Sequence, residues 1–353
     1  MFAARNIFQT TSAGGGGGGP LYSMTFPHTF SSTALGKTGP TLYTQVNRPT
    51  TNTTYFSLSG GIQLWTPPET RNYTIFMRGA SGGQHSGTFG SAGAYPGAGA
   101  SATFTIALDN TKTYAIVIGQ RPENVSGSYN GSAGGGGTFM YEDGYLGSTD
   151  TTKIVGIVGG GGGTGHGYTG YLTAGVGRGG SATTNSNELT ANAYVFVDAV
   201  STNYASAQSC GNKGIGQGGQ ETNLVTTYRG SGGGTGWLSN GDDYISSGVY
   251  AGGGTRFTGG DSLDGSVMDG GFGGGGGSNG TGNAGGGGGG YTGGGAGAGW
   301  QSMSGATGGT ITRNAWGGGA GGGSFINTSA TSVTQTAGVN GTNSYINGTM
   351  TIT

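Results

Sequence analysis

Cysteine is nearly absent: Cys210 is the only one in 353 residues, so no disulfide can form within the chain and its loops must be held by other means. A loop-rich extracellular animal domain more often carries several bridges, so the content suits a chain that folds in a reducing compartment and works outside it. Charge is scarce as well. Thirteen Lys and Arg residues stand against fourteen Asp and Glu, all scattered, which leaves no basic stripe for a phosphate backbone and excludes nucleic acid as an expected partner. No stretch approaches about 18 consecutive apolar residues. The opening MFAARNIFQTTSAGGGGGG also lacks an apolar segment of secretory length, so neither membrane insertion nor signal-directed export is expected. The three histidines, His28, His85 and His166, have no zinc-ligand spacing with Cys210. Eight prolines and the lack of a strict G-X-Y period exclude collagen.

What the chain has instead is glycine, 90 residues of it. Runs occur at Gly14–Gly19, Gly134–Gly137, Gly159–Gly163, Gly232–Gly234, Gly273–Gly277, Gly285–Gly290, Gly317–Gly319 and Gly321–Gly323. The stretch Gly270–Gly295, with two long runs around SNGTGNA, stands out as the organising element. A glycine run loses much backbone entropy on ordering and has no side chain to bury, so its default is a flexible linker. Eight runs threaded between apolar segments ask for another explanation. Glycine keeps its N–H and can adopt an extended three-residue helix of the polyproline II type, so such segments laid side by side can exchange N–H···O=C bonds laterally. Each bond returns roughly 0.5–1.5 kcal/mol against roughly 1–2 kcal/mol per ordered residue, so a conventional core must hold the ends. Phe139, Phe272, Tyr291 and Phe325 flank the runs as edge seals.

The rest reads as short strands. YSMTFPHTF (22–30), TYFSLS (54–59), GIQLW (61–65), NYTIFMRGA (72–80), ASATFTIAL (100–108), KTYAIVIGQ (112–120), TFMYE (138–142), KIVGIVG (153–159), ANAYVFVDAV (191–200) and SYINGTMTIT (344–353) are the candidates. In NYTIFMRGA, Tyr73, Ile75 and Met77 alternate with Thr74, Phe76 and Arg78. DNTK, Asp109–Lys112, is a plausible four-residue hairpin connection. Residues 1–20 form an N-terminal arm whose Met1, Phe2, Ile7 and Phe8 are subunit-docking candidates, and residues 21–353 form one glycine-rich β-sandwich.

KTGPTL (37–42), GIQLWTPPETRNYTIFMRGASGG (61–83), KTYAIVIGQ, GGGGTF (134–139), KIVGIVGGGGG (153–163), the glycine text of 270–329 and the closing AGVNGTNSYINGTMTIT resemble, in order, a glycine-rich domain family. That family occurs in phage and environmental-virus proteins and in the extracellular region of anaplastic-lymphoma-kinase-type receptors. The resemblance implies an all-β, jelly-roll or tumour-necrosis-factor-like β-sandwich with an inserted polyglycine II helix bundle. It also implies likeness to phage tail adhesins that bind through loops at the end of such a bundle. The receptors' cysteines, kinase and transmembrane helix are missing, so their function does not carry over.

No catalytic constellation is legible. The serines lie in no G-x-S-x-G elbow and GTGHG (163–167) lacks the Lys-Ser/Thr of a P-loop, so no enzyme activity and no cofactor are expected. Asp261, Asp264 and Asp269 are weak metal candidates without EF-hand order. Aromatics in glycine-rich loops, Tyr168, Tyr171, Tyr228, Trp237, Tyr244, Tyr250, Trp300 and Trp316, are ligand-contact candidates, because they offer contact area at low entropy cost. Trp237 and Tyr244 are the leading pair. The expected function is a viral structural protein: a tail-fibre, appendage or surface-decoration subunit on the virion surface that presents loops to host-surface glycan or protein. Its expected partners are other virion proteins or copies of itself. The alternative is a purely architectural capsid or filament subunit. Free Trp237 and Tyr244 favour adhesion, and their burial between subunits favours architecture.

Overall fold

The computed structural model describes residues 24–27, 56–59, 62–84, 95–125, 131–165, 177, 179–184, 214–219, 230–246, 249–261, 269–278, 284–297, 303–304, 310–311, 318–340 and 346–353. Its strands are β1 (Met24–Pro27), β2 (Phe56–Ser59), β3 (Ile62–Trp65), β4 (Arg71–Arg78), β5 (Ser101–Leu108), β6 (Tyr114–Val117), β7 (Thr138–Glu142), β8 (Ile154–Val158), β9 (Tyr244–Ser246), β10 (Val249–Ala251), β11 (Met303–Ser304), β12 (Thr310–Ile311), β13 (Phe325–Ile326), β14 (Thr331–Thr336) and β15 (Thr349–Ile352). A five-stranded sheet has the order β1-β15-β4-β5-β14, and a six-stranded sheet the order β13-β8-β7-β6-β3-β2. Every neighbouring pair is antiparallel. Pairs β9–β10 and β11–β12 are separate.

The period-two pattern sets which side chains meet. Tyr73, Ile75 and Met77 of β4, Ala102, Phe104 and Ile106 of β5, and Met350 and Ile352 of β15 turn inward. Ile116, Met140, Val155 and Trp65 of the six-stranded sheet face them. Trp65 packs edge-on against Tyr73 with ring centroids 5.6 Å apart. Burying each large apolar side chain stabilises the fold by about 1.5–3 kcal/mol. Gly156 in β8 lets the sheets close here, because a Cβ would lie 2.8 Å from the Phe104 ring. After β3, Thr66, Pro67 and Pro68 carry the chain across to β4 in the other sheet. Asp109–Lys112 makes a second crossing. It joins β5 to β6, which belong to different sheets, so the expected hairpin is corrected to an inter-sheet turn closed by Lys112 N–H on the Asp109 carbonyl.

The central strands β6, β7 and β8 of the six-stranded sheet are buried on both faces. The second face of that sheet carries Val117, Phe139, Tyr141, Ile154 and Ile157, which pack under Trp237, Phe257, Phe272 and Tyr291 from the glycine-rich segments. At one end of the sandwich, glycine-rich chain leaves β4, β6, β8 and β14 and enters β5, β7, β13 and β15. Side chains vanish there and the backbones of the two sheets meet. Ala100 N–H donates to Gly159 O at 2.8 Å, and Gly161 N–H to Ala80 O at 2.8 Å, each joining an extension of one sheet to an extension of the other.

Gly285–Gly290 lies at the centre of this body. Gly286 and Gly289 donate to Ser132 and Gly135, and accept from Gly163 and Gly160. Gly287 and Gly290 donate to Gly232 and Thr235, and Gly287 accepts from Gly276. Gly288 donates to Ala320 and accepts from Gly294, while Gly285 accepts from Gly297. Each neighbouring segment that is met twice is met again three residues along. None of these six glycines has positive φ, so their role is the missing Cβ rather than backbone freedom. A Cβ on Gly288 would sit 2.3 Å from Gly160 O.

These contacts correct the expected fold class. Among the described residues the only helical element is the 3-10 turn Thr151–Lys153, capped by Asp150, whose carboxylate accepts from Thr152 N–H at 3.0 Å. The jelly-roll with an inserted polyglycine II helix bundle is replaced by two antiparallel sheets in a sandwich-like arrangement, with no helix bundle among the described residues. The described glycine runs are non-helical chain cross-linked between segments. Composition could not separate the two, because both use the same lateral bonds. The arm at 1–20 and the strand expected at 191–200 lie outside the described residues.

Candidate binding surface

Trp237 is 1% exposed, stands edge-on to Tyr141 at 5.1 Å, and donates from Nε1 to the Ser148 carbonyl at 2.7 Å. Tyr244 is 4% exposed. Both are buried within one chain, which is neither of the two placements that were to separate adhesion from architecture. Of the other aromatic candidates, Tyr250 has a described backbone in β10, and Tyr168, Tyr171, Tyr228, Trp300 and Trp316 lie outside the described residues, as do Met1, Phe2, Ile7 and Phe8. Asp261 is exposed, Asp269 is buried, and Asp264 lies outside the described residues. Among the described residues no group of three His, Cys, Asp or Glu side chains could hold a metal ion, and no helix is long and apolar enough to cross a membrane.

Charge gathers at the sandwich end away from the glycine body. Glu142, at the end of β7, accepts from Lys112 Nζ at 3.0 Å and from Lys153 Nζ at 3.3 Å, and Lys153 also lies over the Tyr145 ring. Desolvation works to raise the Glu142 pKa, but the hydrogen bonds from Lys112 and Lys153 outweigh it and hold the carboxyl below its ordinary value. A depressed folded-state pKa contributes stability above the unfolded value and loses it as pH falls through the folded one. Glu142→Gln should therefore cost about 1 kcal/mol at neutral pH, the upper range for such partly exposed pairs. In urea titrations the gap to the wild type should close as pH drops below the ordinary glutamate range. An undiminished gap in acid would assign the loss to packing.

The outer face of the five-stranded sheet carries regular rows of exposed and half-buried side chains across β4, β5, β14 and β15. In one row across β15, β4, β5 and β14 stand Thr351, Phe76, Thr103 and Thr334. The next row holds Thr349, Arg78, Ser101 and Thr336. On the other side, Thr353, which exchanges both backbone bonds with Thr74, continues to Thr105 and Thr331. Threonine is favoured on solvent-facing strand positions, so its presence alone means little. Phe76 and Arg78 are the departures: an aromatic ring and a guanidinium, both half-buried, in the middle of hydroxyls with no carboxylate in the rows. Arg78 Nη2 reaches Thr349 Oγ1 at a long 3.4 Å, and its Nε is shielded from solvent without a hydrogen-bond partner. Among the described residues no carboxylate pairs with it.

Sequence reasoning read the alternation in β4 but did not single out Phe76 and Arg78. The signal lay in strands it did not join to β4: TSVTQT, which has only one apolar residue, and the TMTIT of the terminus. Among the described residues no strand pairs with the far edge of β14. In β14 the register shifts between Thr331 and Thr334, with Ser332 at φ +52°, a bulge of the kind that blunts strand pairing with another chain.

No family model and no curated protein matches this chain. The expected membership of the glycine-rich domain family is withdrawn accordingly. What stands is an all-β arrangement of two antiparallel sheets, with no helix bundle or glycine-rich helical motif among the described residues.

Proposed function

We propose that this chain is a non-catalytic structural subunit of a virus-particle surface, a tail fibre, appendage or decoration, that presents a binding surface to the host. The observation that carries the reading is the central run Gly285–Gly290, tied by backbone bonds to segments around Gly135, Gly160, Gly232, Gly276, Gly294 and Ala320. A chain that commits so much of its length to a backbone-bonded body gains a stiff support. The near-neutral charge removes long-range steering, so recognition rests on short-range stacking and hydrogen bonds. The single cysteine suits folding in a reducing cytoplasm before release.

Immunogold labelling of intact particles from the producing culture tests this. Label on the outer surface of particles is the expected result. Label confined to the soluble cell fraction, with bare particles, would overturn it.

A further inference from the structure

We propose that the outer face of the five-stranded sheet, centred on Phe76 and Arg78, binds a short glycan that carries a carboxylate, a uronic-acid or sialic-acid sugar. This deepens the display role above and rests on it. Sheet geometry places neighbouring strands about 4.8 Å apart and same-face residues about 6.6 Å apart along a strand, so the three rows across four strands span about 14 Å by 13 Å. That is the footprint of a few sugar rings. It falls far below the roughly 800 Å² per partner that a stable protein interface buries.

The chemistry points the same way. The half-buried Phe76 ring, flanked by Thr351 and Thr103, offers an apolar platform for the C–H face of a pyranose. The surrounding threonine hydroxyls both donate and accept, as sugar hydroxyls require. Arg78, one residue pair along the same face, brings a planar fork of donors with no carboxylate opposite it and with Nε unsatisfied. A carboxylate on the sugar would pair with the guanidinium from the solvent side, through its Nη groups, and neutralise the half-buried cation. A neutral glycan would leave that cation half-desolvated and unpaired, and a phosphate backbone would need the basic stripe that this chain lacks. The antiparallel frame beneath fixes both side chains: Arg78 stands between Thr349 and Ser101, and the inward-facing Ile75 and Met77 anchor the same strand in the core.

The test uses the full-length chain with two probes, an oligogalacturonate and a sialyl oligosaccharide, each beside its methyl ester, in isothermal titration calorimetry. One acid probe should bind, its neutral ester should bind at least tenfold more weakly, and the acid and ester should become equivalent in Arg78→Gln. Phe76→Thr keeps a strand-forming residue on the solvent face, so it should fold like the wild type and lose binding at least tenfold. An unchanged melting temperature in both variants confirms the fold. Failure of both acid probes to bind the wild type, or binding that is unchanged in Arg78→Gln and Phe76→Thr, would overturn the site. If labelled chain still coats host cells after either failure, the display role survives and only this site falls. If the cells stay bare as well, the display role falls with it.

Discussion

Gly288→Ala is expected to lower stability by about 3 kcal/mol or more, at the top of the range for overpacked interiors. The added Cβ would lie 2.3 Å from Gly160 O and 2.8 Å from Gly160 C, and both are backbone atoms that cannot rotate away. Moving the Gly160 segment would strain its bonds to Gly289 and Gly322, and moving Gly288 would strain its bonds to Ala320 and Gly294. The clash is therefore relieved only by breaking hydrogen bonds in a dry region, where each unsatisfied group costs about 1–3 kcal/mol. Gly144→Ala is the comparison. Its Cβ would meet nothing within 4 Å, and the only penalty is the left-handed backbone at φ +84°, about 1 kcal/mol. Urea unfolding followed by tryptophan fluorescence compares the two. Equal losses would mean that close approach does not explain the glycine at position 288.

Trp237→Ala should cost about 3–5 kcal/mol, the usual range for removing a large aromatic from a core. The indole is almost fully buried against Tyr141, which burial itself holds above the ordinary tyrosine pKa. It connects the segment after Gly232–Gly234 to the outer face of the six-stranded sheet, and its N–H satisfies the Ser148 carbonyl. Trp237→Phe keeps most of the apolar contact and loses that hydrogen bond, so it should cost about 1–2 kcal/mol from the bond itself and a further part from lost volume. Thermal unfolding of both variants checks the order. A Trp237→Ala protein within 1 kcal/mol of the wild type would show that the aromatic layer does not fasten the glycine body to the sheet.

The strands that were legible in the sequence are those that carry an apolar face. In β4 and β5 every second residue enters the core, and in β6 to β8 the apolar runs are nearly unbroken because those strands are covered on both sides. What covers the second face was partly visible too. Phe139, Phe272 and Tyr291, placed at the ends of glycine runs, are buried together, and Phe325 stacks on Tyr291 with ring centroids 4.9 Å apart. β14 was not legible. Thr331–Thr336 is exposed along its whole length and has no core-facing alternation, so only its pairing with β5 makes it a strand. The same gap hid the candidate face, because Phe76 and Arg78 acquire their surroundings from β14 and β15, which lie more than 250 residues away in sequence. The helix expected of the glycine runs failed for a different reason. Lateral bonding follows from the missing side chains, and composition carries that signal without fixing the path a run takes among its neighbours.

The decisive observation is amide hydrogen exchange at Gly286–Gly290 in the intact folded chain, read residue by residue. Each of these amides donates to a different buried carbonyl, so exchange should be slowed to near the rate set by global unfolding, as for Ile116 or Met140 in the central strands. Exchange at the rate of an open loop, while Ile116 and Met140 remain protected, would show that these glycines are not hydrogen-bonded to their neighbours and would remove the rigid support on which the proposed display role rests.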